Sequence, residues 1–156
     1  MKRIFFAALF AMLAGLAATP GISEQAKTDP AAVLETMFEW WNGAFHEEGS
    51  FTMEAFAEHF TEDSRMYING SLRAEGVEDL ARHFQRIQAE VDHVEIVLPF
   101  EEGFSAGNKT FTSHFVRARD DGEESLERVM GWAEVRGGRL ALISFLSVPV
   151  EDATTR

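Results

Sequence analysis

The sequence predicts an α+β protein in which three helices pack on a strongly curved antiparallel sheet. Apolar residues between 30 and 91 recur at helical spacing in three blocks. After Asp92 the period changes: Val94, Ile96 and Leu98 alternate with polar residues, as in a half-buried strand. Asp120-Asp121-Gly122 and Gly137-Gly138 then separate long strand-like runs, the pattern of an antiparallel meander. Such a sheet must cover its apolar face with the helices, and a curved one encloses a cavity.

Each element has a local cause. Asp29-Pro30 opens the first helix, with Asp as N-cap and Pro in the first turn. Its apolar positions are Val33, Met37, Trp40, Trp41, Ala44 and Phe45, and Gly49 stops it. Thr52 caps a second helix with Phe56 and Phe60 one turn apart, and Glu62-Asp63-Ser64 ends it. Residues 65–69 read as a short strand and Gly70-Ser71 as a turn. Gly76 precedes a third helix with the stripe Leu80, Phe84, Ile87 and Val91. Residues 101–103 and 106–108 read as turns. Residues 109–119, 126–135 and 139–148 read as the long strands.

Ahead of these elements, Lys2-Arg3 precedes an apolar run over 4–18 that ends in small residues and Thr19-Pro20-Gly21, the three-part pattern of a secretory signal. The run is short for a membrane span of about 20 residues. The expected organisation is a signal peptide and leader over 1–26, one domain over 27–152 and a tail over 153–156. The expected location is periplasmic or secreted, with no membrane contact after cleavage. The chain has no cysteine, so its stability is expected from a core supplied by 14 Phe and 3 Trp. Its net charge of −12 repels phosphate backbones, which argues against nucleic-acid binding.

The order of elements, and the segment Phe60-Thr61-Glu62-Asp63-Ser64-Arg65-Met66-Tyr67-Ile68-Asn69-Gly70, resembles the nuclear transport factor two-like superfamily. That superfamily has a cone-shaped fold and includes SnoaL-type polyketide cyclases, ketosteroid isomerases and limonene epoxide hydrolases. Tyr67-Ile68-Asn69 is similar to the Tyr-x-Asn with which the epoxide hydrolases position water. By the same resemblance their Arg falls on His114, its paired Asp on Val116 and their last Asp on Ser144, so neither carboxylate is present. The isomerase base falls near Ile68 and its buried acid near Trp132. The resemblance implies a pocket for a small, mostly apolar molecule, no cofactor, and a homodimer formed through the outer sheet face, which here carries Phe111 and Phe115.

Within that frame His114 is the first catalytic candidate, as a general base in an apolar cavity. A buried histidine bonded to a neighbour is the competing interpretation, since its own strand face offers Thr112 and Val116 but no carboxylate. Alternation places Tyr67 and Asn69 on one side of their strand, where they hold a carbonyl or a water, or simply satisfy each other. Trp40, Trp132, Met130, Thr112 and Ser144 are the candidate ligand contacts, with ordinary core packing as the alternative for the tryptophans and Met130. Asp63, just past a helix, reads as a surface carboxylate rather than a base. His46, His59, His83 and His93 form no metal motif, and no phosphate loop or nucleophile elbow is present. Asn69-Gly70-Ser71 and Asn108-Lys109-Thr110 match the glycosylation pattern, which acts only in a eukaryotic secretory route.

Overall fold

The computed structural model describes residues 29–150, so the predicted signal and leader over 1–26 and the tail over 153–156 lie outside the described residues. Helix α1 (Pro30–Phe45) starts where expected, with the Asp29 carboxylate accepting the Ala31 N–H at 3.0 Å. Its buried stripe runs through Leu34, Met37, Phe38, Trp41 and Phe45, and Trp40 sits at its edge. Helix α2 (Met53–His59) is capped by the Thr52 hydroxyl, which accepts the Ala55 N–H at 3.2 Å. Helix α3 (Gly76–Glu90) begins at a glycine with φ +79°, where a Cβ would stand 2.9 Å from the Glu62 carbonyl oxygen. Glycine therefore lets α3 start hard against the sheet. Among the described residues no helix is long and apolar enough to cross a membrane.

Among the described residues seven strands follow the order β2-β1-β7-β6-β5-β3, with β4 also on β5. They are β1 (Phe60–Ile68), β2 (Ser71–Glu75), β3 (His93–Ile96), β4 (Glu102–Ala106), β5 (Lys109–Asp120), β6 (Glu123–Arg136) and β7 (Arg139–Pro149). The edge of β5 is shared: its first half pairs β4 and its second half pairs β3.

Three expectations are corrected. The sheet is mixed, because β1 and β7 run parallel. That contact joins residues 77 to 80 positions apart, and no local pattern reveals it. Strand β1 starts at Phe60, since Glu62 and Asp63 face solvent while Thr61 and Ser64 are buried; the acidic pair belongs to a strand. β2 and β4, which overlap residues expected as turns at Ser71, 102–103 and 106, are strands whose residues are mostly exposed, so apolar alternation does not mark them.

The long strands curl around the helices. At Gly131 of β6 a Cβ would overlap the Ser144 carbonyl oxygen and stand 2.8 Å from Phe145 Cα on the paired strand. A glycine inside a strand marks such a bend or close approach. At the free edge, Asn42 of α1 donates to the Ile96 carbonyl and accepts the Ile96 N–H, both at 2.8 Å. One side chain thus replaces a missing strand neighbour for β3. Gly131→Ala is expected to destabilise the protein by about 1–3 kcal/mol or more, read from chemical denaturation. Wild-type stability in that variant would show that the backbone there is free to give way.

Candidate active site

Between sheet and helices lies a cavity of about 360 Å³. Pockets that hold small molecules run from about 300 to 1,000 Å³, so this one suits a modest ligand. Met37, Phe38 and Trp41 of α1 close one wall, and Phe84 and Ile87 of α3 another. Met66, Val129, Ile143 and Phe145 form the sheet side. Packed behind Trp41 is an aromatic plug: Phe51 lies 5.7 Å from Trp41 and Phe56 5.5 Å from Phe84, between ring centroids.

His114 is the most deeply buried polar group of the wall, 2% exposed. Phe38, Phe100 and Phe145 surround it at 5.2, 5.6 and 5.5 Å between ring centroids. Its Nδ1 shares a hydrogen bond with the Thr112 hydroxyl at 3.3 Å. Its Nε2 has no hydrogen-bond partner among the described residues. Burial holds its pKa down to about 4 from the ordinary 6.5, so the ring is neutral near pH 7 and offers Nε2 as one donor or one acceptor. Trp41 adds a buried indole N–H without a partner among the described residues.

Four more polar groups line the cavity: Arg73 of β2, His83 of α3, Glu127 of β6 and Ser147 of β7. Arg73 is exposed and the other three are partly buried, so they mark the open end. The Ser147 hydroxyl donates to the Glu127 carboxylate, and the Ser147 N–H donates to Asn69 Oδ1 at 2.8 Å. His83 is pushed below its ordinary pKa by burial first, then by the positive charges of Arg86 and Arg73.

The predicted contacts separate on this map. Tyr67 lies between the two inward residues Met66 and Ile68 and does not line the cavity. Asn69 has left the strand: it sits in the β1–β2 turn at φ +53°, and its side chain braces β7. Trp132 faces the outer side, with Lys109 Nζ 4.2 Å from its ring centre. Met130 is exposed on the same face, and Ser144 shares the outward phase. Trp40 packs on Phe56 and stacks on His59 at 4.5 Å, outside the cavity. Thr112 reaches the site only through His114. Asp63 is exposed and paired with Arg136.

No family model and no curated protein matches the sequence, whereas many solved structures match the fold. An NTF2-like protein from Anabaena variabilis is 15% identical with TM-score 0.62, over 85% of this chain and 97% of that one. A protein of ketosteroid isomerase-like fold from Catenulispora acidiphila, in complex with trimethylamine, is 14% identical with TM-score 0.60, over 78% and 86%. An LEH-like epoxide hydrolase from M. tuberculosis is 15% identical with TM-score 0.60, over 75% and 76%. The fold is NTF2-like. An NTF2-like fold hosts many functions, so the residues of the site must decide among them.

In this NTF2-like cavity the sequence reading missed Arg73, His83, Glu127 and Ser147. Glu127 stands on the strand next to His114. The pairs His114–Val129 and Val116–Glu127 make His114 and Glu127 diagonal neighbours across β5 and β6, roughly 7–8 Å apart at the backbone. A search confined to the histidine's own strand could not find that carboxylate. Counting outward from the Asp121-Gly122 hairpin, where Asp120 pairs with Glu123, would have found it. Among the described residues no group of three His, Cys, Asp or Glu side chains could hold a metal.

The depressed pKa of His114 has a consequence for stability. As pH falls through about 6.5 the unfolded chain takes up a proton at this site, while the folded protein resists until about 4. His114 therefore leaves stability unchanged above about pH 6.5 and removes roughly 3 kcal/mol as pH falls to about 4. His114→Leu, which keeps the volume, should flatten that part of the profile in denaturant unfolding. An unaltered slope would mean that the imidazole titrates as it does in water.

Proposed function

We propose that the protein binds a small, largely apolar molecule in its cavity, with neutral His114 meeting a polar group of that molecule. The carrying observation is a wall of aliphatic and aromatic side chains around one buried imidazole whose Nε2 faces no protein partner. Apolar lining supplies affinity, and a few convergent polar groups supply orientation. The ketosteroid isomerase-like and epoxide hydrolase-like neighbours support a pocket protein of this general kind. For general acid–base chemistry, His114 is the one group of the predicted three that a bound molecule can reach, because Tyr67 and Asn69 lie off the cavity. Binding is therefore the reading we adopt. Val129 faces His114 across the strand pair and lines the cavity. Val129→Phe should weaken binding of an apolar probe, or of a molecule retained in native mass spectrometry, by more than about tenfold, the scale of 1.4 kcal/mol. A variant that stays folded and binds as well as wild type would refute the reading.

We also propose that the protein is exported and pairs as a homodimer through the outer sheet face. The pattern of residues 1–26 supports export. The face supports pairing: Phe104 and Leu146 are 65% and 58% exposed, Met130 and Val148 lie beside them, and Phe104 stacks on Phe111 at 4.9 Å. Apolar patches of this kind mark contact sites on soluble proteins. Wild type should sediment as a dimer at micromolar concentration and Leu146→Glu as a monomer; a wild-type monomer would overturn the proposal.

A further inference from the structure

The β1–β2 pairing is irregular at one point. Met66 pairs with Ala74, but the next residue, Tyr67, pairs with Leu72. Arg73 is thus the extra residue of a β-bulge. Regular alternation would turn Arg73 to the face opposite Ala74, which is buried. The bulge re-aims it, and Arg73 lines the open end of the cavity. Among the described residues Arg73 makes no ion pair, whereas Arg65, Arg82, Arg117, Arg128 and Arg136 each hold a carboxylate. His83, whose titration already feels Arg73, stands beside it on the cavity wall.

We infer that Arg73 anchors an anionic head group, a carboxylate or its equivalent, of a ligand whose apolar body fills the cavity. The inference rests on the proposed binding of an apolar molecule and names the class: an apolar acid. A guanidinium presents a planar fork that fits a carboxylate with two parallel hydrogen bonds, and His83 offers an N–H to the same group. Glu127, the one carboxylate on the wall, stands three strands away along β2-β1-β7-β6, roughly 14 Å at about 4.8 Å per strand, and it is engaged by the Ser147 hydroxyl. Glu127 forms no ion pair with Arg73 among the described residues and is already bonded elsewhere. Arg86, Arg119 and Arg139 also hold no carboxylate among the described residues, but of these four arginines Arg73 is the one that lines the cavity.

The test compares decanoate, decanol and decylamine, each below its micelle concentration. Affinity is followed by calorimetry and by the fluorescence of Trp41 and its neighbours. Decanoate should bind about tenfold more tightly than decanol, the scale of one charge-assisted hydrogen bond. Arg73→Gln should abolish that preference, bringing decanoate to the affinity of decanol, and Arg73→Lys should restore part of it. Arg119→Gln, an exposed arginine that does not line the cavity, should change nothing. Equal binding of decanoate and decanol, or tighter binding of decylamine, would overturn the anionic anchor while leaving the apolar cavity standing. Absence of binding by all three would overturn the cavity reading itself.

Discussion

The cavity depends on a sheet that bends, and the bend depends on backbone passing backbone where a side chain would stand. Gly131 supplies that passage: without a Cβ, β6 closes on the Ser144 carbonyl and Phe145 of β7. Flat sheets neither close nor wrap helices well, and curvature is introduced at glycines and bulges. Further irregularities serve the same end, one between Glu134 and Val135 and one between Met66 and Tyr67. The curl brings β1 alongside β7 and puts Met66, Val129, Ile143, Phe145 and His114 around one space.

A bent sheet leaves an opening that helices must cover, and here the covering is aromatic. Trp41, Phe51, Phe56 and Phe84 pack with ring centroids between 5.5 and 5.8 Å apart, and Phe84 also meets His83 at 5.1 Å. Pairs of this geometry add about 0.5–1.5 kcal/mol each beyond simple burial. A second aromatic group sets the chemistry of His114. An imidazole among Phe38, Phe100 and Phe145 stays neutral because the charged form would lose its hydration.

Helices were legible because their signals are local. Asp29-Pro30 and Thr52 announce α1 and α2, and the stripe from Leu80 to Ile87 announces α3. The long strands were legible because Gly137-Gly138 and Asp121-Gly122 punctuate them. What escaped carries no apolar alternation or lies far from its partner in sequence. β4 is a wholly exposed strand in a tight hairpin with β5, and β1 runs parallel to β7 although 77 to 80 residues of chain separate partners such as Ile68 with Phe145 and Phe60 with Leu140. For the same reason the site was read only in part. His114 was visible as a lone imidazole on an apolar strand, but Arg73 faces the cavity only because of a bulge, and a bulge is invisible to a period-2 pattern.

Phase is the remaining link between sequence and site. On β6, Glu127 and Val129 line the cavity, while Met130 is exposed on the outer face with Trp132. On β7, Ile143, Phe145 and Ser147 point inward, and Leu146 and Val148 outward. A reading displaced by one residue exchanges the whole cavity set for the whole outer set. That displacement separates Ser144, Met130 and Trp132 from the true wall. The strands carry large apolar side chains on both faces, so hydrophobicity alone does not tell the two apart. The buried polar groups do. His114 and Thr112 share one phase and are bonded to each other, and Glu127 and Ser147 are bonded across adjacent strands in the inward phase. In a sheet that is apolar on both sides, paired polar residues with matching phase are the signal that locates the cavity.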